Sequence, residues 1–186
     1  MKLQSVALVL ASIVLTSLLA LRPHTPALPK ADKIQWLTME QAYARTQQEP
    51  RKILVDIYTD WCSWCKVMDR ETYTNARVIE YINKNYYPVK FNAEQRAPVT
   101  LGQQKFEFIA QGKSGVHQLA LGLTNNQPSY PTTVFLDEKM QLIQPLPGYL
   151  KAKEFHKVIT FFGDNHYQKV PFEKYKSETY PKLYSK

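Results

Sequence analysis

Cys62 and Cys65 are the only cysteines of the 186-residue chain, and they stand in Trp61-Cys62-Ser63-Trp64-Cys65-Lys66. A spacing of three on a helix brings two sulfurs within bonding range. Such a pair can form half of a zinc site, or it can pass two electrons by disulfide exchange. A structural zinc needs four ligands. The histidines, His24, His117, His156 and His166, show no paired spacing. The redox reading therefore stands, and no metal or organic cofactor is expected. It asks that Cys62 open a helix, where unpaired backbone N–H groups and the positive end of the dipole face its sulfur. Both favour the thiolate, which is the attacking species. Cys62 is then the nucleophile and Cys65 the resolving thiol.

Asp56 is the third residue of interest, because it interrupts the apolar run Lys52-Ile-Leu-Val-Asp-Ile-Tyr58. A buried carboxylate without a partner is costly, so it holds its proton more tightly or finds a cation. A carboxyl poised near neutral pH could take the proton of Cys65 at the resolving step. Lys90, on the next predicted strand, is the candidate partner. Gly112-Lys113-Ser114 invites comparison with a phosphate loop. The upstream glycine and a preceding strand are missing, so that reading is rejected.

The elements that must position these groups follow from periodicity and breakers. Ile34–Leu37 reads as a short first strand. Thr38 reads as a helix cap, with Gln41 as its capping-box partner, for a helix to about Gln48. The run from Lys52 to Tyr58, bounded by Pro50 and by Thr59-Asp60, reads as a buried strand. Cys62 to Tyr73 is helical in composition. Ala76, Val78, Ile79, Tyr81 and Ile82 mark a second helix, and Tyr86 to Phe91 a strand. Two strands joined through helices imply a parallel, right-handed unit. Residues 93–128 are irregular, with a helix expected over Val116–Leu123. Thr132–Leu136 and Gln141–Pro145 form a predicted hairpin. Lys151 to Phe162 is the closing helix. This order predicts an α/β fold, a mixed central sheet with helices on both faces.

At four places, in one order, the sequence resembles the thioredoxin-like family. Ile53 to Lys66 is similar to its strand, buried Asp and Trp-Cys-x-x-Cys-Lys site. Val89-Lys90-Phe91-Asn92 is similar to the following strand with its Lys. Tyr130-Pro131-Thr132 is similar to the loop whose proline is cis and faces the cysteines. Gly148 and the helix after it match the closing element. The resemblance covers Trp36 to about Phe162. It implies a cis bond between Tyr130 and Pro131, with Pro131 shaping an edge where an extended substrate could pair. Trp61, Trp64, Tyr130 and Thr132 are expected to supply an apolar contact surface. The Ser63-Trp64 dipeptide departs from the Gly-Pro of thioredoxin and resembles an exported Trp-Cys-x-Trp-Cys-Lys subgroup.

Composition sets the remaining limits. Apolar residues make up 44% of the chain and charged residues 22%, as in ordinary globular proteins. The net charge is +8, but the basic residues are scattered, and no nucleic-acid partner is read from them. Lys2 precedes an uncharged run, 5–21, ended by Arg22 and followed by Pro23, Pro26 and Pro29. This is the pattern of a signal peptide or signal anchor. The expected organisation is a leader at 1–21, a linker at 22–32, a thioredoxin-like domain at 33–163 and an extension at 164–186. The aromatics of that extension could fold back on the sheet or bind a partner, and fold-back is the favoured reading.

Taken together, the chain reads as an exported thiol–disulfide oxidoreductase, periplasmic or anchored through 5–21. Its expected partners are protein disulfides or thiols and, for a reductase, a membrane electron donor. Reduction is favoured over oxidation. The rival reading is a thioredoxin-like binding module or assembly chaperone whose cysteine pair does not turn over.

Overall fold

The computed structural model describes residues 31–184. The expected leader and most of the expected linker lie outside the described residues. Among the described residues no helix is long and apolar enough to cross a membrane.

The chain enters through α1 (Met39–Thr46), capped as its sequence demands. The Thr38 side chain accepts from the Gln41 N–H, and the Gln41 side chain accepts from the Thr38 N–H. Immediately before it, Leu37 makes a single parallel bridge to Val89. The first strand expected over Ile34–Leu37 is thus reduced to one bridging residue. The helix begins two residues later and leaves no length for a ladder.

β1 (Lys52–Tyr58), α2 (Ser63–Glu71), α3 (Ala76–Asn85) and β2 (Tyr86–Asn92) follow. β1 and β2 pair in parallel, with Asp56 beside Lys90. Then come two small hairpins, β3 (Val99–Leu101) with β4 (Gln104–Phe106), and β5 (Phe108–Gln111) with β6 (Ser114–His117). α4 (Gln118–Leu123) leads to β7 (Thr132–Leu136), β8 (Leu142–Pro147) and α5 (Ala152–Gly163). The main sheet has the order β2-β1-β7-β8, and β7 is antiparallel to both neighbours. It is mixed, as the element order implied.

The helix expected over Val116–Leu123 is corrected at its start. Val116 and His117 belong to β6, and the helix begins at Gln118 because the His117 ring caps it, accepting from the Leu119 N–H at 3.2 Å. Gly102 and Gly112 take φ of +62°, which suits the turns of the two hairpins. Gly112-Lys113-Ser114 is therefore part of a hairpin and its turn, not a phosphate loop.

Side chains alternate across β1, so its two faces serve two cores. Ile53, Val55 and Ile57 pack with Met39 and Ala42 of α1 and with Leu119, Ala120 and Leu123 of α4. Leu54 faces the other way, toward Met68 of α2, Val78 and Ile82 of α3, and Phe155 and Ile159 of α5. Asp56 shares this second face with Leu54, beneath the layer that contains α2.

The extension beyond Gly163 also belongs to the second core. A helical turn at His166–Gln168 precedes helical segments that run from Phe172 to Tyr184. Tyr175 and Tyr180 are buried there. The expected fold-back occurs, but onto α3 and α5. Those helices already cover the sheet, so the tail becomes an outer layer.

Candidate active site around the cysteine pair

β1 ends at Tyr58, and the chain turns through Thr59-Asp60-Trp61 into α2. Cys62 is the N-cap of that helix, in extended conformation. Its Sγ accepts the Cys65 N–H at 3.1 Å and is bonded to the Cys65 Sγ at 2.07 Å. No acidic residue lies in the first turn of α2. The positive end of the helix dipole therefore acts undiminished on Cys62, which favours a thiolate once the bond is opened. Each cysteine keeps 4% of its surface, yet Trp61, Ser63, Trp64 and Lys66 are all exposed. The pair is covered by its own neighbours at the surface and is not sunk in the core.

Asp56 is 1% exposed, and Lys90 meets it from the adjacent strand, Nζ to Oδ2 at 3.0 Å. The pairing expected from sequence is present. Lys90 also binds Asp69, which lies on α2. The rings of Trp36, Tyr58 and Tyr73 surround the same ammonium at 5.0 to 5.4 Å. Burial pushes the Asp56 carboxyl above the ordinary 3.8, although Lys90 pulls it down. Burial also acts to lower Lys90, but Asp56 and Asp69 outweigh it and hold the ammonium charged. Asp56 Oδ1 is buried and is not the oxygen that Lys90 binds, so a lone pair on it is left to receive a proton.

Asp69 was not singled out by the sequence reading. It stands four residues after Cys65, on the same face of α2 and one turn along. That spacing was the available signal. Through Lys90 it joins the cysteine helix to Asp56. Tyr73, after the end of α2, completes the enclosure with a buried hydroxyl, and burial holds its proton well above the usual phenol range.

The opposite wall comes from two loops. The Tyr130–Pro131 bond is cis. Pro131 is buried, and its carbonyl accepts the Gly148 N–H at 2.8 Å, which ties the two loops together. Trp61 meets Tyr130 edge-on at 5.8 Å, and Trp64 stacks on Tyr149 at 5.4 Å. Trp61 and Trp64 are 64% and 59% exposed, the highest values for large apolar side chains among the described residues. Tyr130 is half-buried beside them, so these three present surface. Thr132, also expected in the contact surface, presents none. It is 2% exposed, and its hydroxyl donates to the Ser129 carbonyl at 2.7 Å, so it braces the loop from inside. Glu94 and Tyr149 were missed. Glu94 accepts from Trp61 Nε1 at 3.0 Å, and Glu71 accepts from the Tyr149 hydroxyl at 2.9 Å. No motif announces such carboxylates.

Among the described residues no cluster of three or more His, Cys, Asp or Glu is placed to hold a metal ion. The arrangement offers instead a sulfur pair at a helix start, a buried carboxyl on the sheet face below, and an aromatic rim.

Comparison with known proteins agrees with this geometry. Residues 27–161 match the family model Thioredox_DsbH, described as a protein of unknown function, DUF255. The thiol:disulfide interchange protein DsbD of Haemophilus ducreyi is 28% identical over 137 residues, covering 72% of this chain and 20% of that protein. An uncharacterised Caenorhabditis elegans protein, B0495.5, is 24% identical over 76 residues, covering 41% of this chain and 10% of that one. The chain thus spans a fifth or less of the length of these curated relatives. Among solved structures, a DsbH oxidoreductase superposes with a TM-score of 0.51 at 16% identity, over 73% of this chain and 88% of its own. A putative disulphide-isomerase from Bacteroides thetaiotaomicron gives 0.51 at 22%, over 72% and 95%. A Thermus thermophilus thioredoxin gives 0.51 at 20%, over 68% and 85%. At these identities the structural likeness speaks to the fold, which is thioredoxin-like.

Proposed function

Since the chain belongs to the Thioredox_DsbH family of thioredoxin-like proteins, we propose that it is a thiol–disulfide oxidoreductase that reduces disulfides of other proteins through Cys62 and Cys65. The observation that carries this reading is the Cys62–Cys65 bond at the N-terminus of α2, on the side of the sheet where Asp56 is buried.

The cycle starts from the dithiol. The Cys62 thiolate attacks one sulfur of a substrate disulfide. A bond forms between Cys62 and that sulfur, and the other substrate sulfur leaves as a thiolate that takes a proton from water. Cys65 then loses its proton to the Asp56 carboxylate and attacks Cys62 Sγ. The mixed disulfide breaks, the substrate departs with both sulfurs reduced, and the chain is left with the bond seen here. Two electrons pass from the cysteine pair to the substrate. Lys90 stabilises the Asp56 carboxylate between turnovers, and Asp69 keeps Lys90 in place. Trp61, Trp64 and Tyr130 seat the substrate, and Pro131 shapes the edge beside them.

An exported location, periplasmic or tethered by 5–21, is supported by the charged start and apolar run of the leader. A reductase outside the cytoplasm has to be recharged by a dithiol donor, and a membrane protein is the natural source. The thioredoxin-like domain at 33–163 and the extension at 164–186 remain our division of the chain.

The test is reduction of insulin disulfides in the presence of dithiothreitol. The wild-type chain is expected to turn over, and Cys62→Ser to fall to the rate of dithiothreitol alone. Equal rates for the two proteins would remove the redox role and leave the binding module.

A further inference from the structure

Tyr73 is buried beside Asp56, and its hydroxyl has no task in the exchange described above. The backbone there is fixed. The hydroxyl of Thr72, the preceding residue, donates to the Leu150 carbonyl at 2.6 Å. The Tyr73 ring meets Trp36 edge-on at 5.0 Å and Phe155 edge-on at 5.6 Å, and its centroid lies 5.4 Å from Lys90 Nζ. A phenylalanine would make all of these contacts equally well. The hydroxyl adds nothing to them, and burying it costs free energy unless polar groups meet it. The groups that meet it are Asp56 and Thr133. Thr133 stands opposite Asp56 in the β1–β7 ladder, so both side chains leave the same face of the sheet. Lys90 holds Asp56 by Oδ2, which leaves Oδ1 for a second donor.

We infer that Tyr73 is a positioning residue for the step in which Cys65 gives up its proton: its hydroxyl donates to Asp56 while the carboxylate is charged, and accepts from it once the carboxyl is protonated. The inference rests on the exchange reading above and adds a residue to its second step. A hydroxyl serves both states because its hydrogen rotates. When Asp56 takes the proton of Cys65, the Tyr73 hydrogen turns to Thr133 Oγ1. One proton changes hands, from sulfur to carboxylate, and Tyr73 keeps its own. The charged state gains more, since hydrogen bonds to ions are the stronger ones. Tyr73 thereby keeps Asp56 available as a base in spite of its burial. Burial raises the Asp56 carboxyl most, and Lys90 and Tyr73 act against it. The other titratable groups facing this carboxyl are Asp69 on α2 and Tyr58 at the end of β1, and the variants below leave both in place.

The experiment mixes the full-length chain, as the dithiol, with one equivalent of the symmetrical disulfide of 5-thio-2-nitrobenzoate. Cys62 attacks the reagent, forms a mixed disulfide and releases the first thionitrobenzoate. Cys65 then attacks Cys62 Sγ, closes the Cys62–Cys65 bond and releases the second. Stopped-flow absorbance between about pH 5 and 9 follows both phases, and the acid limb of the second reports Asp56. In Tyr73→Phe this limb should move up by roughly one pH unit, the scale of a hydrogen bond to a charged group. The first phase is the reference for an intact site. Thr133→Val, which leaves Tyr73 in place, should move the limb the same way by less. In a chain already carrying Asp56→Asn, adding Tyr73→Phe should change the second phase by no more than about twofold, because the two residues act as one unit. A limb that neither variant moves upward overturns the inference and leaves the exchange reading intact. So does a second phase that Tyr73→Phe slows as much in the Asp56→Asn chain as in wild type. No release from the wild-type chain overturns both.

Discussion

A carboxylate with almost no contact with water has to be justified by what surrounds it, and Asp56 is such a group. Burial raises the Asp56 carboxyl above 3.8, and Lys90 only partly offsets it. A folded chain that holds this proton more tightly than the unfolded chain loses stability as pH rises from 3.8 through the raised value. Asp56→Asn removes that loss. The variant should match wild type in urea unfolding near pH 3.5 and be more stable near pH 7.5. In the exchange assay it should be slower, on the order of a hundredfold if proton removal from Cys65 governs the step. A variant that is less stable at pH 7.5 would show that the ion pair with Lys90 outweighs the cost of burying the charge, and one that is equally fast would remove Asp56 from the chemistry. Asp56, Lys90 and both cysteines were legible because each breaks a pattern: a charge in an apolar strand, a thiol pair at helical spacing. Asp69, Glu71 and Glu94 break none. Carboxylates on exposed helices and loops are ordinary, and only the fold shows that these three hold Lys90, Tyr149 and Trp61.

Elements were legible in proportion to their length and burial. β1 runs over Lys52–Tyr58 as its composition indicated, because every one of its residues except Tyr58 is buried and has to be apolar or paired. Lys52 conforms by reaching Glu138 at 2.6 Å. The strands of the 99–117 region are only three or four residues long and few of their residues are buried, so alternation cannot be read across them. The region was read as irregular, although glycines stand at the turns and at Gly115. The Phe108 ring lies against Gly115, and a Cβ at 115 would come within 2.3 Å of that ring and 2.4 Å of the Ile109 carbonyl. Arg96 lies over the Phe108 ring at 4.6 Å. Gly115→Val should therefore cost about 1–3 kcal/mol, the usual scale for forced overpacking. Amide exchange in Phe108–His117 should accelerate more than in β1. Unchanged protection in the hairpin would show that it is loosely held already.

For the molecule as a whole, the tail after Gly163 decides how the second core is closed. Without it, Phe161 and Phe162 at the end of α5 would face water. Phe172 and Tyr175 cover Phe161, and Tyr167 covers Phe162. Polar atoms are matched as well as rings. The Tyr175 hydroxyl donates to Thr160 Oγ1 at 2.7 Å, and the Tyr180 hydroxyl meets His156 Nδ1 at 2.9 Å. Tyr81 and Tyr184 both donate to Asp164, one to each carboxylate oxygen. Sequence composition showed the aromatics but not their destination, because a tail of this length has no period that names its partner. Tyr175 is fully buried, so truncation and loss of the hydroxyl alone can be told apart. Tyr175→Ala should lower unfolding free energy by about 3–5 kcal/mol, as for other large aromatic truncations. Tyr175→Phe should cost about 1 kcal/mol, the scale of one hydrogen bond. Denaturant unfolding of both variants measures the two terms. If Tyr175→Ala costs no more than Tyr175→Phe, the ring contributes nothing, and the tail is an appendage beside a core that closes without it.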